Sequence, residues 1–425
     1  MTLLSRKLVK SSIVKFDRFR SYELLILILL MSCTPQFVYM SFYTTSTAVG
    51  LLVASVLSIF WIGIIRKEFK ARVRPTTLIL FLLFSIYFSV SSFHSLLTYG
   101  SMKPLYSLSL IIVGFSAYFI SKLFIKASFA SLQFALRWST YLLLAIGYIK
   151  LAWVPHIFRY KDAIKSVFPF SEESHYALAL GPILAAYIIN ASVKESVFVV
   201  SLALVLSLSY PSLLLLVFVM FAVLVLMLRL KVTAWHIIGF FCAVLSALLV
   251  RDRVITNPYF EDRLSVSSTE NLTALVYTQG WELISENIGI DRILGVGFQM
   301  LGKETTIFTD SSDVIESITG HSSNIQDGGF LAAKIITEFG FLGLGLIIAY
   351  VFLSFRCLLI VFSASSRGEC QYNFETKKLI CVCVWILSFS IEIFLRGYGY
   401  FSPGLLLFLV CLISLKDIER AARYN

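Results

Sequence analysis

The sequence predicts an all-α polytopic integral membrane protein of about twelve transmembrane helices, with one large external loop between the ninth and the tenth. Three observations predict it. Hydrophobic residues make up 58% of the 425 positions and charged residues only 14%, more apolar surface than one soluble core of that length hides. Apolar runs long enough to cross about 30 Å of hydrocarbon as helix recur along the chain. Basic residues gather in alternate connections between those runs. Residues 1–425 read as a single transmembrane domain, with the loop 251–328 inside it.

The apolar runs cover residues 22–40, 47–65, 76–93, 105–125, 132–153, 174–192, 234–250, 329–353, 379–395 and 400–415. The stretch 196–229 is too long for one span, and Ser209-Tyr210-Pro211-Ser212 at its middle offers a break where proline cannot continue a helix. Two short spans are expected there. With the amino terminus inside, the cytoplasmic segments hold Arg6, Lys7, Lys10, Lys15, Arg18, Arg20, Arg66, Lys67, Lys70, Arg72, Arg74, Lys122, Lys126, Lys194, Arg229, Lys231, Arg356, Arg367, Lys377, Lys378, Lys416, Arg420 and Arg423. These are 23 of the 36 basic residues, against ten in external loops or at their edges, and an error of one helix would have scrambled that asymmetry. Both termini are therefore expected in the cytoplasm.

The same asymmetry accounts for the net charge of +11 through anionic inner-leaflet lipid, so membrane lipid is an expected partner and nucleic acid is not. The basic amino-terminal stretch precedes a full-length span with no small-residue cleavage site, which reads as a retained first helix. All seven cysteines fall in spans or cytoplasmic segments, so no disulfide framework is expected. Cys381 and Cys383, one residue apart, have no nearby histidine or further cysteine to complete a metal site and read as core packing. No metal and no cofactor is expected.

Soluble chemistry is expected outside, in about residues 154–173 and 251–328. The larger piece carries twelve acidic residues against five basic ones, Arg251, Arg253, Arg263, Arg292 and Lys303. It reads either as a solvated cap or as a polar cover over a site for a hydroxyl-rich ligand, with arginines such as Arg292 held for phosphate. Leu272, Leu275, Val276, Leu283 and Ile288 recur near helical spacing with Trp281 beside them, as in a helix on the membrane surface or over the mouth of a cavity. Gly295-Val-Gly297-Phe-Gln-Met-Leu-Gly302 has glycines in the wrong places for a nucleotide loop and reads as a tight turn.

Three patches carry ionisable groups into or beside the membrane, where charge marks a protein-lined cavity. Asp327, Lys334 and Glu338 are spaced so that one helical stripe would carry all three; the last two also suit a plain ion pair one turn apart. Glu392 and Arg396 stand one turn apart near the outer end of a span, where a guanidinium fork suits two phosphate oxygens and also a simple ion pair. Ser171-Glu172-Glu173-Ser-His175 opens the sixth span. Glu172 and His175 are candidate bases, and Ser171 and Glu172 are equally suited to capping a helix start.

Together these patches resemble the O-antigen polymerases of the Wzy type. Phe168-Pro-Phe-Ser-Glu-Glu-Ser-His175 resembles that family's Ser-Glu-Pro-Ser-His element, with Glu173 where proline is usual. Tyr277-Thr-Gln-Gly-Trp-Glu282 followed by Gly295-Val-Gly-Phe-Gln299 resembles its loop signature. Asp327-Gly-Gly-Phe, Lys334, Glu338-Phe-Gly and Arg396-Gly-Tyr-Gly-Tyr-Phe-Ser-Pro403 resemble two more, in the same order across about residues 160–410. The related O-antigen ligases carry histidine where this chain has Asp327, which favours polymerase over ligase; His321, six residues earlier, is the remaining histidine candidate there.

The resemblance implies a glycosyltransferase of the bacterial inner membrane, acting on its periplasmic side. It would join undecaprenyl-diphosphate-linked oligosaccharide repeats and release undecaprenyl diphosphate, with a chain-length regulator and a flippase as partners. Asp327, or Glu172 or His175, would take the acceptor proton; Arg396 and Lys334 would meet the leaving diphosphate; Glu338 would orient Lys334. The rivals are an O-antigen ligase and a multi-pass transporter of lipid-linked oligosaccharide. Against the transporter, the sequence shows no internal repeat and its polar groups crowd one face.

Overall fold

The computed structural model describes residues 17–44, 46–65, scattered positions between 79 and 100, and residues 107–153, 159–160, 166–210, 212–229, 272–287, 295–301, 309–320, 328–367, 373–396 and 399–424. Among these, regular structure is helical apart from one isolated bridge between Val167 and Phe170. The helices are α1 (Arg18–Ser41), α2 (Ala48–Ile59, running on as a π-helix over Phe60–Ile65), α3 (Ser107–Lys126), α4 (Phe129–Ala152), α5 (Glu173–Ile188), α6 (Val193–Ser209) and α7 (Leu213–Arg229). They continue with α8 (Leu272–Asn287), α9 (Asp310–Thr319), α10 (Leu331–Arg367), α11 (Phe374–Phe394) and α12 (Pro403–Tyr424).

Four of them, α1, α3, α4 and α10, are each long and apolar enough to cross a membrane. The chain is a membrane protein. Other helices fall on the remaining apolar runs read from the sequence, except that 234–250 lies outside the described residues and 76–93 is described only in part, with 82–87 helical. The break between α6 and α7 falls where expected: Tyr210 closes α6 in extended conformation, and α7 resumes at Leu213.

Helices α5 and α11 form the centre. Helix α5 is buried without interruption from Tyr176 to Ile188, packing on α4, α7 and α11, and α11 also contacts α10 and α12. Outer faces stay apolar: Trp138, Leu142 and Ile149 on α4 and Phe352, Phe355 and Phe362 on α10 are exposed, as expected where acyl chains are the solvent. The cysteines Cys381, Cys383 and Cys411 are buried in this packing, and the Cys381 thiol donates to the Ala186 carbonyl at 3.2 Å.

At the end that the sequence assigns to the cytoplasm, basic side chains bind the last carbonyls of helices, where the helix dipole is negative. Lys378, fully buried, donates to the carbonyls of Ile125 (2.8 Å) and Ala127 (2.9 Å) at the end of α3. Arg20 donates to the Lys126 carbonyl at 2.8 Å, and Arg229 to that of Ile188 at 3.1 Å. Several of the basic residues counted there are thus structural caps. Beyond the apolar part of α12, Glu419 bridges Arg356 and Arg423.

Helix α10 is broken. Gly340 (φ 56°, ψ −132°) is non-helical within it, which frees carbonyls that the preceding turn would otherwise use. Two of them are taken up by the glycine turn at 295–301: Val296 N–H donates to the Thr337 carbonyl and Gly297 N–H to that of Glu338, both at 3.0 Å. Gly295 (φ 71°) lies so close that a Cβ on it would sit 2.5 Å from the Glu338 carbonyl carbon. The turn expected from the sequence is present, and its role is to satisfy the broken helix.

The helix expected there exists as α8, packed against α9 and the head of α10. Glu282 accepts from the Ser311 amide (3.1 Å) and hydroxyl (2.8 Å) at the start of α9, while Tyr277 and Trp281 pack on Phe330 with ring centroids 5.1 and 5.4 Å away.

Candidate active site

The end of the bundle opposite the basic caps gathers the segment before α5, the second half of α1 and the loop between α11 and α12. Packing first fixes the approach to α5. The Tyr160 hydroxyl donates to the Pro169 carbonyl at 2.7 Å, and burial pushes that hydroxyl above its ordinary range, so it remains a donor. Phe170 lies edge-on to Tyr176 at 5.7 Å, and Phe168 to Phe37 of α1 at 6.1 Å.

Glu172 occupies the N-cap position of α5 in extended conformation, yet its side chain makes no capping bond. It is used elsewhere. Its Oε1 is 3.2 Å from His175 Nε2 and 3.3 Å from Arg396 Nη2, which donates to it from the loop after α11, and Ser174 Oγ donates to the same oxygen. Ser171 also serves the cluster rather than the helix end: its Oγ is 2.7 Å from His175 Nδ1 and 2.7 Å from Gln36 Oε1. A continuous polar chain thus runs Gln36, Ser171, His175, Glu172, Arg396. The side chains of His175, Glu172 and Arg396 are 24%, 35% and 48% exposed, so the far end of the chain is open to a ligand.

Glu173 turns the other way. Lys150 of α4 donates to its carboxylate, with the ammonium 4.7 Å above the Tyr210 ring, which ties the first turn of α5 to α4.

Lys334 and Glu338 make a second group, one turn apart on α10. The charge of Lys334 acts on the Glu338 carboxylate, and Tyr400 and the backbone of Gln299 and Leu301 surround that carboxylate, at geometry too loose for well-formed hydrogen bonds. Lys334 Nζ is 5.4 Å from the Tyr400 ring centroid and abuts Gly399. Phe298, stacked on Tyr400 at 4.9 Å, roofs the group. Lys334 is therefore only 3% exposed, and it borders the same 395–402 loop that carries Arg396, from beneath.

Helix α10 begins at Leu331, after Gly328 (φ 68°) and Gly329 (φ 74°) turn the chain, and it carries Lys334 and Glu338 one turn apart. One expectation needs correction. Arg396 pairs with Glu172 and not with Glu392: α11 ends at Phe394, so the one-turn geometry lapses before Arg396 is reached. Glu392 is instead buried against Gly404 and Ser402 at the start of α12, where the positive end of the helix dipole suits a carboxylate. Asp327, His321 and Arg292 lie outside the described residues. Among the described residues, no cluster of three His, Cys, Asp or Glu side chains is placed to hold a metal ion.

Sequence reasoning passed over Gln36. A polar Thr34-Pro35-Gln36 step inside an otherwise apolar run was the available signal, since a side chain that must hydrogen-bond in a membrane span points to a partner within the protein.

Comparison with protein-family models finds no match for this chain, and comparison with curated protein sequences finds none.

Proposed function

We propose that this chain is an O-antigen polymerase, a glycosyltransferase that joins undecaprenyl-diphosphate-linked oligosaccharide repeats on the periplasmic face of the bacterial inner membrane. The observation that carries the reading is the partly exposed Glu172, His175 and Arg396 group at one end of a helical bundle, built from two separate segments of the chain. Proton acceptor and guanidinium meet at one carboxylate oxygen. The resemblance of residues 168–175 and 396–403 to the family's elements supports the same reading, because those two segments make this contact.

In this mechanism a hydroxyl of the acceptor repeat attacks the anomeric carbon of the donor repeat. The new C–O bond forms as the bond from that carbon to the diphosphate oxygen breaks, which inverts the donor linkage when it occurs in one displacement. The hydroxyl proton passes to the Glu172–His175 pair and then to water. Undecaprenyl diphosphate departs as an anion, a leaving group that needs no proton. Arg396 meets its oxygens with a planar fork of donors, giving up its bond to Glu172 as it does so and freeing that carboxylate to accept. Lys334, roofed by Phe298, acts on this loop from below by holding Tyr400 and Gly399.

The test is made in cells that depend on this chain for polymer, with Glu172→Gln and Arg396→Ala at matched membrane levels. The expected product is glycolipid bearing a single repeat. Long polymer from both variants contradicts the assignment, and complete loss of attached glycan points to a ligase.

A further inference from the structure

We infer that Gln36 is a positioning residue that decides which nitrogen of His175 carries the hydrogen, and so makes the His175–Glu172 pair a proton acceptor. The role rests on the glycosyl-transfer reading above; the tautomer itself does not.

The argument follows the hydrogens. The backbone N–H of Ser171 donates to the Gln36 side chain at 3.3 Å. An amide N–H has no other option, so the Gln36 atom facing it is the oxygen. The Ser171 hydroxyl is 2.7 Å from that oxygen and has a single hydrogen, which it gives there. Its own oxygen can then only accept, and the group 2.7 Å away is His175 Nδ1. Nδ1 is therefore the protonated nitrogen. In the opposite arrangement, with the hydroxyl donating to Nδ1, two oxygens would face each other at 2.7 Å with no hydrogen between them.

The consequence falls at the other side of the ring. With hydrogen on Nδ1, a neutral His175 presents a lone pair at Nε2, 3.2 Å from Glu172 Oε1, itself an acceptor. Two acceptors in contact are matched only when a proton lies between them, and a substrate hydroxyl at this exposed edge supplies one. Among the described residues, Glu172 from its own turn and Arg396 from the loop after α11 act on the ring as charges, while α1 contributes the uncharged Gln36.

Gln36 is held for this task. It is fully buried, one residue beyond Pro35, and Pro35 is clamped by α2 so closely that a Cβ on Gly50 would lie 2.6 Å from it. Its Nε2 has no acceptor among the described residues, a costly arrangement for a residue kept for packing alone.

The experiment is nitrogen NMR on full-length protein with labelled histidine in bilayers, at a pH where the ring is neutral. The His175 signal is identified by its loss in His175→Gln. Hydrogen on Nδ1 is expected in wild type and in Gln36→Glu, which keeps the acceptor oxygen; in Gln36→Leu the hydrogen is expected to move to Nε2. Polymerisation by Gln36→Leu should fall about a hundredfold, the scale of lost acid–base assistance, and lose its rise with pH, while Gln36→Glu stays within a few-fold. Hydrogen on Nε2 in wild type, or an unchanged ring in Gln36→Leu, overturns the inference even if polymer is made. The expected ring signals without any polymerisation sustain the tautomer and remove the glycosyl-transfer reading.

Discussion

Replacing Gly295 with alanine should damage this protein more than replacing a glycine of nearly the same φ elsewhere. At φ 71° a side chain costs about 1–2 kcal/mol before any contact is made. The added Cβ would also lie 2.5 Å from the Glu338 carbonyl carbon and 2.6 Å from its oxygen. Both are backbone atoms that cannot swing aside, so the turn must lift away from the broken helix. Lifting it breaks the bonds from Val296 to Thr337 and from Gly297 to Glu338, each contributing about 0.5–1.5 kcal/mol net. The sum is about 2–5 kcal/mol. Gly320 is the control: it has φ 74° and, among the described residues, nothing within 4 Å of an added Cβ, so its alanine variant should lose only the conformational cost, about 1–2 kcal/mol. Thermal unfolding in one detergent compares the two directly. Equal midpoints for Gly295→Ala and Gly320→Ala refute the claim that this turn completes α10 at Gly340.

Other predictions address the opposite end of the bundle and the site. Burial raises the Glu419 carboxyl, but hydrogen bonds from Arg356 and Arg423 outweigh it and hold the group below its ordinary range; its stabilising contribution is therefore present at neutral pH and lost as pH falls below about 4.3. That contribution is about 1 kcal/mol or less, since both arginines are largely exposed, and Glu419→Gln should flatten the acid limb of a stability profile taken between pH 6 and 3. Lys378→Met removes a buried ammonium from the carbonyls of Ile125 and Ala127 and should cost about 3 kcal/mol, read as a lower unfolding midpoint. Arg396→Ala should slow polymerisation about a hundredfold or more, the scale of about 2.7–4 kcal/mol lost with one preorganised donor to developing charge. Arg396→Lys should recover only part of that rate, because an ammonium lacks the planar fork.

The sequence made the helices legible because lipid exposure demands long apolar runs, and a proline at 211 marked the gap between α6 and α7. Segment 168–175 and Arg396 were recognisable as polar groups at the expected outer end. Their meeting was not, since Glu172 and Arg396 are 224 residues apart and local spacing offered Arg396 a nearer partner in Glu392. Helical periodicity grouped Lys334 with Glu338, which α10 carries one turn apart, but a period says nothing about where a helix starts; the glycines at 328 and 329 do. Gly295 and Gly340 were visible as glycines, but the pairing of a turn with a broken helix depends on backbone groups that every residue possesses.

The most direct test is reconstitution of the purified full-length chain in bilayers with one synthetic undecaprenyl-diphosphate-linked repeat and no other protein. Chains of two or more repeats, with one undecaprenyl diphosphate released for each linkage, are predicted for wild type and lost in Glu172→Gln. Intact monomeric repeat after prolonged incubation with folded wild-type protein, or equal polymer from Glu172→Gln, would contradict the account.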